Sequence, residues 1–154
     1  MSTTTTNFGF VKPALTDAPP DITATNPNWD KLDNKLYSVI TGYYRGNNID
    51  SSVESSQTIS LGTTPIAVLV MTREGLINDT RNNLLYGGLA LTNRPATLFH
   101  GSSGRYPSGD YARKSVEICE NGFIVRNIPS NAMYPTSIVS NLEPYEYFYV
   151  ALVR

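Results

Sequence analysis

From residue 41 to its C-terminus the chain alternates short apolar runs with turn residues, and no helical apolar period is sustained there. Ile66 to Thr72 reads Ile-Ala-Val-Leu-Val-Met-Thr. This run is short and β-branched, so it suits a buried central strand better than a helix. Leu84 to Thr92 is a second strand with Gly87-Gly88 inside it, a pair that marks a bulge or the close approach of another backbone. Ser115 to Glu120 and Phe123 to Asn127 flank Asn121-Gly122, a strong hairpin signal. Tyr145 to Val153 alternates, with Tyr145, Tyr147, Tyr149, Ala151 and Val153 on one side and Glu146, Phe148, Val150 and Leu152 on the other. Both sides are apolar enough to place that strand in an interior or at a subunit contact. A short strand at Thr58 to Leu61 completes the set, with turns at Gly62 to Pro65, Arg73 to Gly75 and Asn93 to Pro95. The expectation is a mainly β protein of about six or seven strands, an antiparallel β-sandwich over residues 42–154 with no βαβ unit and no parallel sheet.

Two further zones precede this one. Residues 1–26 are polar and proline-rich, which excludes a regular helix or central strand. They nevertheless carry Phe8, Phe10, Val11, Leu15 and Ile22, and read as an extended arm that orders against a partner. Residues 27–41 read as a short helix, with Asn26 as its cap and Pro27 at its first position. Trp29, Leu32, Leu36 and Val39 follow a 3-4-3 spacing that lines one face of such a helix. A helix this short is marginal in isolation, so the stripe needs either the β domain or sister copies to cover it.

Composition narrows the function. Charged residues are 16% against about 25% in an ordinary domain, and the net charge is -1. No basic cluster exceeds Arg113-Lys114, which argues against nucleic-acid binding. No apolar stretch approaches the ~20 residues of a membrane span, and the first residues lack the features of a signal peptide. Synthesis in the cytoplasm without membrane insertion is expected. The single cysteine, Cys119, reads as a thiol on a core strand, and the single histidine, His100, has no nucleophile turn beside it. One His and one Cys do not supply a zinc site, and Gly101-Ser-Ser-Gly104 lacks the lysine of a phosphate loop. No metal, cofactor or catalytic set is expected. Asp110, Glu117 and Glu120 are the carboxylates a glycosidase would need, yet Glu117 and Glu120 point to opposite faces of a regular strand. The segment from Gly101 to Lys114 is the long loop of the chain. Arg105, Tyr106, Asp110, Tyr111 and Arg113 combine aromatic faces with charged hydrogen-bonding groups, as recognition of a sugar or protein surface requires; packing on a neighbouring subunit is the other reading.

Two series of motifs carry a resemblance. Thr6-Asn7-Phe8-Gly9-Phe10 through Lys12-Pro13, then Asp21-Ile22, Asn26 and Asn28 to Leu36, resemble the attachment end of tail-fibre and baseplate-associated proteins of phages and prophages of Gram-positive bacteria. Gly42 to Asn47, Ile59 to Val70, Tyr86 to Ala90, Glu120 to Val125 and Tyr147 to Leu152 resemble the small C-terminal β domain of phage tail proteins. Thr63 departs from that pattern, standing where an aromatic is usual. The long shaft found in many such proteins is missing between the two series.

The resemblance implies a homotrimer in a phage tail or tail-like particle. Its N-terminal arm, with Phe8, Phe10, Pro13 and Ile22, would grip baseplate proteins. Trp29, Leu32, Leu36 and Val39 would form the trimer seam, and the β domain, loosely similar to H-type lectin domains, would face a host glycan or protein. A purely structural tail component is the alternative, and an enzyme acting on cell-wall polysaccharide is a third reading.

Overall fold

The computed structural model describes residues 3–4, 10–12, 22–33, 36–98, 113–132 and 135–154, and the chain divides into two compact units, Met1–Tyr37 and Ser38–Arg154. In the first, β1 (Thr3–Thr4) pairs antiparallel with β2 (Val11–Lys12), and α1 spans Ile22–Asp33. The helix therefore begins before Asn26 and contains Pro27 in place of starting there. It also does not reach residue 41. Leu36 lies past its end, and Val39 sits in β3 (Ser38–Arg45), paired with Leu152. The expected four-residue helical stripe is corrected accordingly: only Trp29 and Leu32 lie on α1. The physical reason is competition. Ser38 to Arg45 holds Val, Ile, Thr and two Tyr, side chains that fit a pleated surface. Eight consecutive pairings to the C-terminal strand outweigh a two-heptad spacing.

The second unit is mainly β, with two sheets. One has four antiparallel strands in the order β3, β13 (Glu146–Val153), β5 (Ala67–Thr72), β8 (Gly88–Leu91). The other runs β6 (Asn78–Asp79), β7 (Leu84–Leu85), β12 (Ser137–Val139), β11 (Gly122–Ile128), β10 (Arg113–Cys119), β9 (Ala96–Leu98), with β4 (Ser55–Ser60) also pairing β11. Its β7–β12 contact is parallel, a correction to the expected absence of parallel pairing. Strands of two or three residues need no crossover helix to achieve it.

One core lies between the sheets. Tyr44, Val68, Val70, Ala90, Tyr147 and Ala151 from the first meet Val116, Phe123, Val125 and Val139 from the second. Tyr44 and Tyr147 stack with ring centroids 4.9 Å apart, and Phe123 meets Tyr149 edge-on at 5.2 Å. Buried phenols need acceptors. Tyr44 Oη donates to the Ser140 carbonyl at 2.7 Å, and Tyr147 Oη donates to the Val139 carbonyl. Asn141, fully buried, closes the adjoining loop: its Nδ2 donates to Asn47 Oδ1 at 2.8 Å and its Oδ1 accepts from the Asn47 N–H at 3.2 Å.

The chain changes sheets at Gly87. Leu84 to Thr92, read as one strand, is two: β7 belongs to one sheet and β8 to the other. A Cβ at Gly87 would collide with the Val70 carbonyl oxygen, and Gly88 adopts φ +139°. Ser115 Oγ pins the crossing, donating to the carbonyls of Gly87 at 3.0 Å or Ala96 at 3.1 Å. Gly87→Ala should lower unfolding stability by about 1–3 kcal/mol through overpacking, measured by urea denaturation, while far-UV circular dichroism stays unchanged.

Candidate functional site

Strand alternation sorts the four-stranded sheet into an inner and an outer face. The outer face is built in rows by the register. Val39, Leu152, Ala67 and Leu91 form one row; Thr41, Val150, Leu69 and Leu89 form the next; Tyr43, Phe148 and Met71 form a third. Thr41 is the one polar side chain among these eleven. Tyr43 and Phe148 pair with centroids 5.1 Å apart. No described segment of the second unit buries this face: Val39 is 62%, Tyr43 61% and Leu89 56% exposed. A fourth row is charged. Arg45 stands opposite Glu146 in register, and Glu146 accepts from Arg73 at 2.7 Å. Around it Arg45, Arg73, Glu74, Pro144, Tyr145 and Glu146 line an open cleft of about 500 Å³.

The second sheet carries the carboxylate that a hydrolytic reading would use. Glu117 takes Lys114 Nζ on one oxygen and Arg126 Nη2 on the other, each at 2.5 Å. Burial acts to raise its pKa, but these hydrogen bonds and the charges behind them outweigh it and hold the carboxyl below the usual range. A general acid needs the opposite perturbation. Cys119 is half-buried, its thiol pushed up by burial first and by Glu117 and Glu120 second. Among the described residues no three His, Cys, Asp or Glu side chains converge as metal ligands, and no helix is long and apolar enough to cross a membrane.

The residues singled out from sequence separate sharply. Arg105, Tyr106, Asp110, Tyr111 and His100 lie outside the described residues. Arg113 does not belong to a recognition surface, which is a correction. It is buried at the start of β10, donating from Nη1 to the Thr136 carbonyl at 2.7 Å and from Nη2 to those of Ile128 and Pro129 at 2.7 and 2.6 Å. These carbonyls flank the place where β12 pairs the end of β11, beyond the last β10–β11 pairing at Val116. A guanidinium with a planar fork of five donors fits this convergence of acceptors. Of the proposed attachment residues, Phe8 and Pro13 lie outside the described set and Ile22 opens α1. Phe10 is half-buried and shares a hollow of about 260 Å³ with Asn28, Trp29 and Leu32. Trp29 is 65% exposed, and Leu36 is exposed too.

The outer face was half legible. The alternation at Tyr145 to Val153 identifies its middle strand; that β3, β5 and β8 extend it depends on pairings no local pattern reveals.

The described β unit thus belongs to the mainly β class, with a sheet face that no described segment of that unit covers. No protein-family model matches the chain, and no curated protein or solved structure matches it.

Two outcomes follow. Arg113→Met should cost about 1–3 kcal/mol by stranding buried carbonyls, measured by urea unfolding. The depressed pKa of Glu117 contributes stability above its ordinary value of 4.5, and this contribution is lost as pH falls through the lowered value. Glu117→Gln should therefore reduce stability at pH 7 and flatten its decline between pH ~5 and ~3, followed by thermal melts across that range.

Proposed function

We propose that this chain is a non-enzymatic subunit of a phage tail or phage-tail-like particle. It assembles as a homotrimer, is held to baseplate proteins by its N-terminal arm, and presents a trimeric antiparallel β-sandwich, lectin-like in kind, to the host surface. The observation that carries the assembly reading is the outer face of the four-stranded sheet, three largely apolar rows that no described segment of the β unit covers and whose Val39, Tyr43, Leu89 and Leu91 are exposed. A contiguous apolar patch of that kind marks an interaction surface. The exposed Trp29 in the N-terminal unit supports the same reading. The assignment to a tail rests on the ordered motif series, from Thr6-Asn7-Phe8 to Tyr147-Phe148-Tyr149.

Three copies on a rigid tip, and several tips on one particle, would turn weak contacts into avid adhesion without new chemistry. Arg105, Tyr106, Asp110 and Tyr111 remain the proposed contact set; Arg113 is removed from it by its buried carbonyl partners. Light scattering on the purified protein should return the mass of three 16.9 kDa chains, and density-gradient fractionation of a lysate should place the chain in the band of assembled tails. A chain that stays with free protein at the top of the gradient overturns the tail assignment. Particles carrying Tyr106→Ala/Tyr111→Ala should adsorb more weakly to host cells, whereas unchanged adsorption favours a purely structural tail component.

A further inference from the structure

We infer that the hollow beside the β6–β7 hairpin is a binding site for one ring of a neutral sugar. This rests on the host-surface reading above and deepens it, naming the chemical class of the receptor and a place for it.

The curl of the second sheet builds the hollow. β7 and β9 stand far apart in the strand order, yet Leu84 and Leu85 from the one and Leu98 from the other line the same cavity of about 210 Å³. Thr136 completes this wall. Arg113 ties it together: its backbone lies opposite Leu98 in register, and its buried guanidinium donates to the Thr136 carbonyl at 2.7 Å. The facing side is the turn at residues 80–83. Asn83 takes the left-handed φ of 53° there, and its carbonyl accepts from the Ser137 N–H at 2.9 Å. Strand pairings and these hydrogen bonds set the cavity in advance, so a ligand has little left to order.

The lining has two kinds of surface. Leu84, Leu85 and Leu98 offer an apolar patch, which suits the C–H face of a pyranose. The rim offers hydrogen bonds. Asp79 Oδ1 accepts from the N–H groups of Arg81 at 3.0 Å and Asn82 at 3.3 Å, and Oδ2 accepts from Asn82 Nδ2 at 2.7 Å. A carboxylate has about four acceptor sites, so one remains for a hydroxyl. The side-chain and backbone hydrogen bonds from Asn82 hold this carboxyl below its usual range, which keeps it ionised and aimed before a ligand arrives. Beside it, the amides of Asn78 and Asn83 and the Thr80 hydroxyl have no hydrogen-bond partner among the described residues.

Size and charge select the occupant. Drug-sized ligands fill pockets of about 300 Å³ or more, so this smaller hollow takes a single ring and not a length of peptide. Its rim carries an ionised carboxylate, and no described lining residue is a cation, which disfavours phosphate or an acidic sugar. Nor do three ligands converge here to hold a metal ion, among the described residues. A neutral polyol answers both surfaces. The location agrees with the proposed contact set: Leu98 and Arg113 are the two described ends of the segment that carries Tyr106 and Tyr111.

The test is saturation-transfer NMR on the full-length protein, which reads the millimolar affinity expected of one sugar ring. The probes are free glucose, galactose, N-acetylglucosamine, N-acetylgalactosamine and rhamnose, with inorganic phosphate as an anionic competitor. The wild-type protein should transfer saturation to the ring protons of at least one sugar, unaffected by phosphate. Asn78→Ala changes an exposed side chain and should weaken that binding about fivefold, and Asp79→Asn about tenfold, with near-UV circular dichroism unchanged. Should Asp79→Asn disturb the turn it anchors, Asn78→Ala still decides. Binding of none of these sugars, binding that Asn78→Ala leaves intact, or displacement by phosphate overturns the site. Particles that band as tails while no sugar binds would sink this inference alone. Sugar binding by a chain absent from the tail band would sink the tail assignment and leave the site standing.

Discussion

The ladder of hydrogen bonds on both edges of β13 is the constraint on which the second unit depends. β3 pairs it at eight positions and β5 at six, so among the described strands the C-terminal strand is what joins β3 to the rest of its sheet. Its inward residues Tyr147 and Ala151 are fully buried, and the Tyr147 hydroxyl reaches the backbone at Val139 in the other sheet. A strand fixed along both edges cannot slip by one residue without exchanging its two faces. The same register that buries Tyr147 therefore also aligns Phe148, Val150 and Leu152 on the outside. Core formation and exposure of the outer rows are two results of one pairing.

That coupling explains why the outer face cannot easily be made polar by a shift in structure. A lone monomer gains nothing from Leu69, Met71, Leu89 and Val150 on a solvent-facing surface, since apolar area left in water forgoes roughly 25 cal/mol per Å². The second sheet shows the contrasting solution. There Glu117 pairs with both Lys114 and Arg126 on half-buried positions. One sheet thus sets charged side chains on its half-buried outward positions where the other sets apolar ones.

How much of this is visible in the sequence follows from the range of the interactions. β5, β10, β11 and β13 are legible because local composition and pairing agree: a β-branched run, an Asn-Gly hairpin, a clean alternation. Asn121 does carry the left-handed turn, with φ 58°, although Gly122 already belongs to β11. β3 is illegible as a strand because Leu32, Leu36 and Val39 imitate a helical period, and only the distant C-terminus reveals the alternative. β6, β7, β9 and β12 are two or three residues long and exist only through their partners. The role of Arg113 is hidden for the same reason. Its sequence neighbours describe a polar loop, whereas its hydrogen bonds go to residues 15 to 23 positions further on. The run from Ile66 to Thr72 reads as a buried central strand; in β5 the Val68, Val70 and Thr72 side is buried and the Ala67, Leu69 and Met71 side is half-buried.

The stacked phenols have a consequence for alkaline conditions. Burial, and then the mutual repulsion of two phenolates, pushes the ionisation of Tyr44 well above 10, and burial does the same for Tyr147. Groups that bind their proton more tightly when folded stabilise the native state fully below the ordinary value and lose that contribution as pH climbs past it. Exposed tyrosines such as Tyr43 can therefore ionise while the central pair and the buried Tyr86, pushed up to about 12, remain neutral, and ultraviolet absorbance should rise in two stages. The second stage would report the opening of the interior, giving the molecule a built-in optical gauge of its own base-induced collapse.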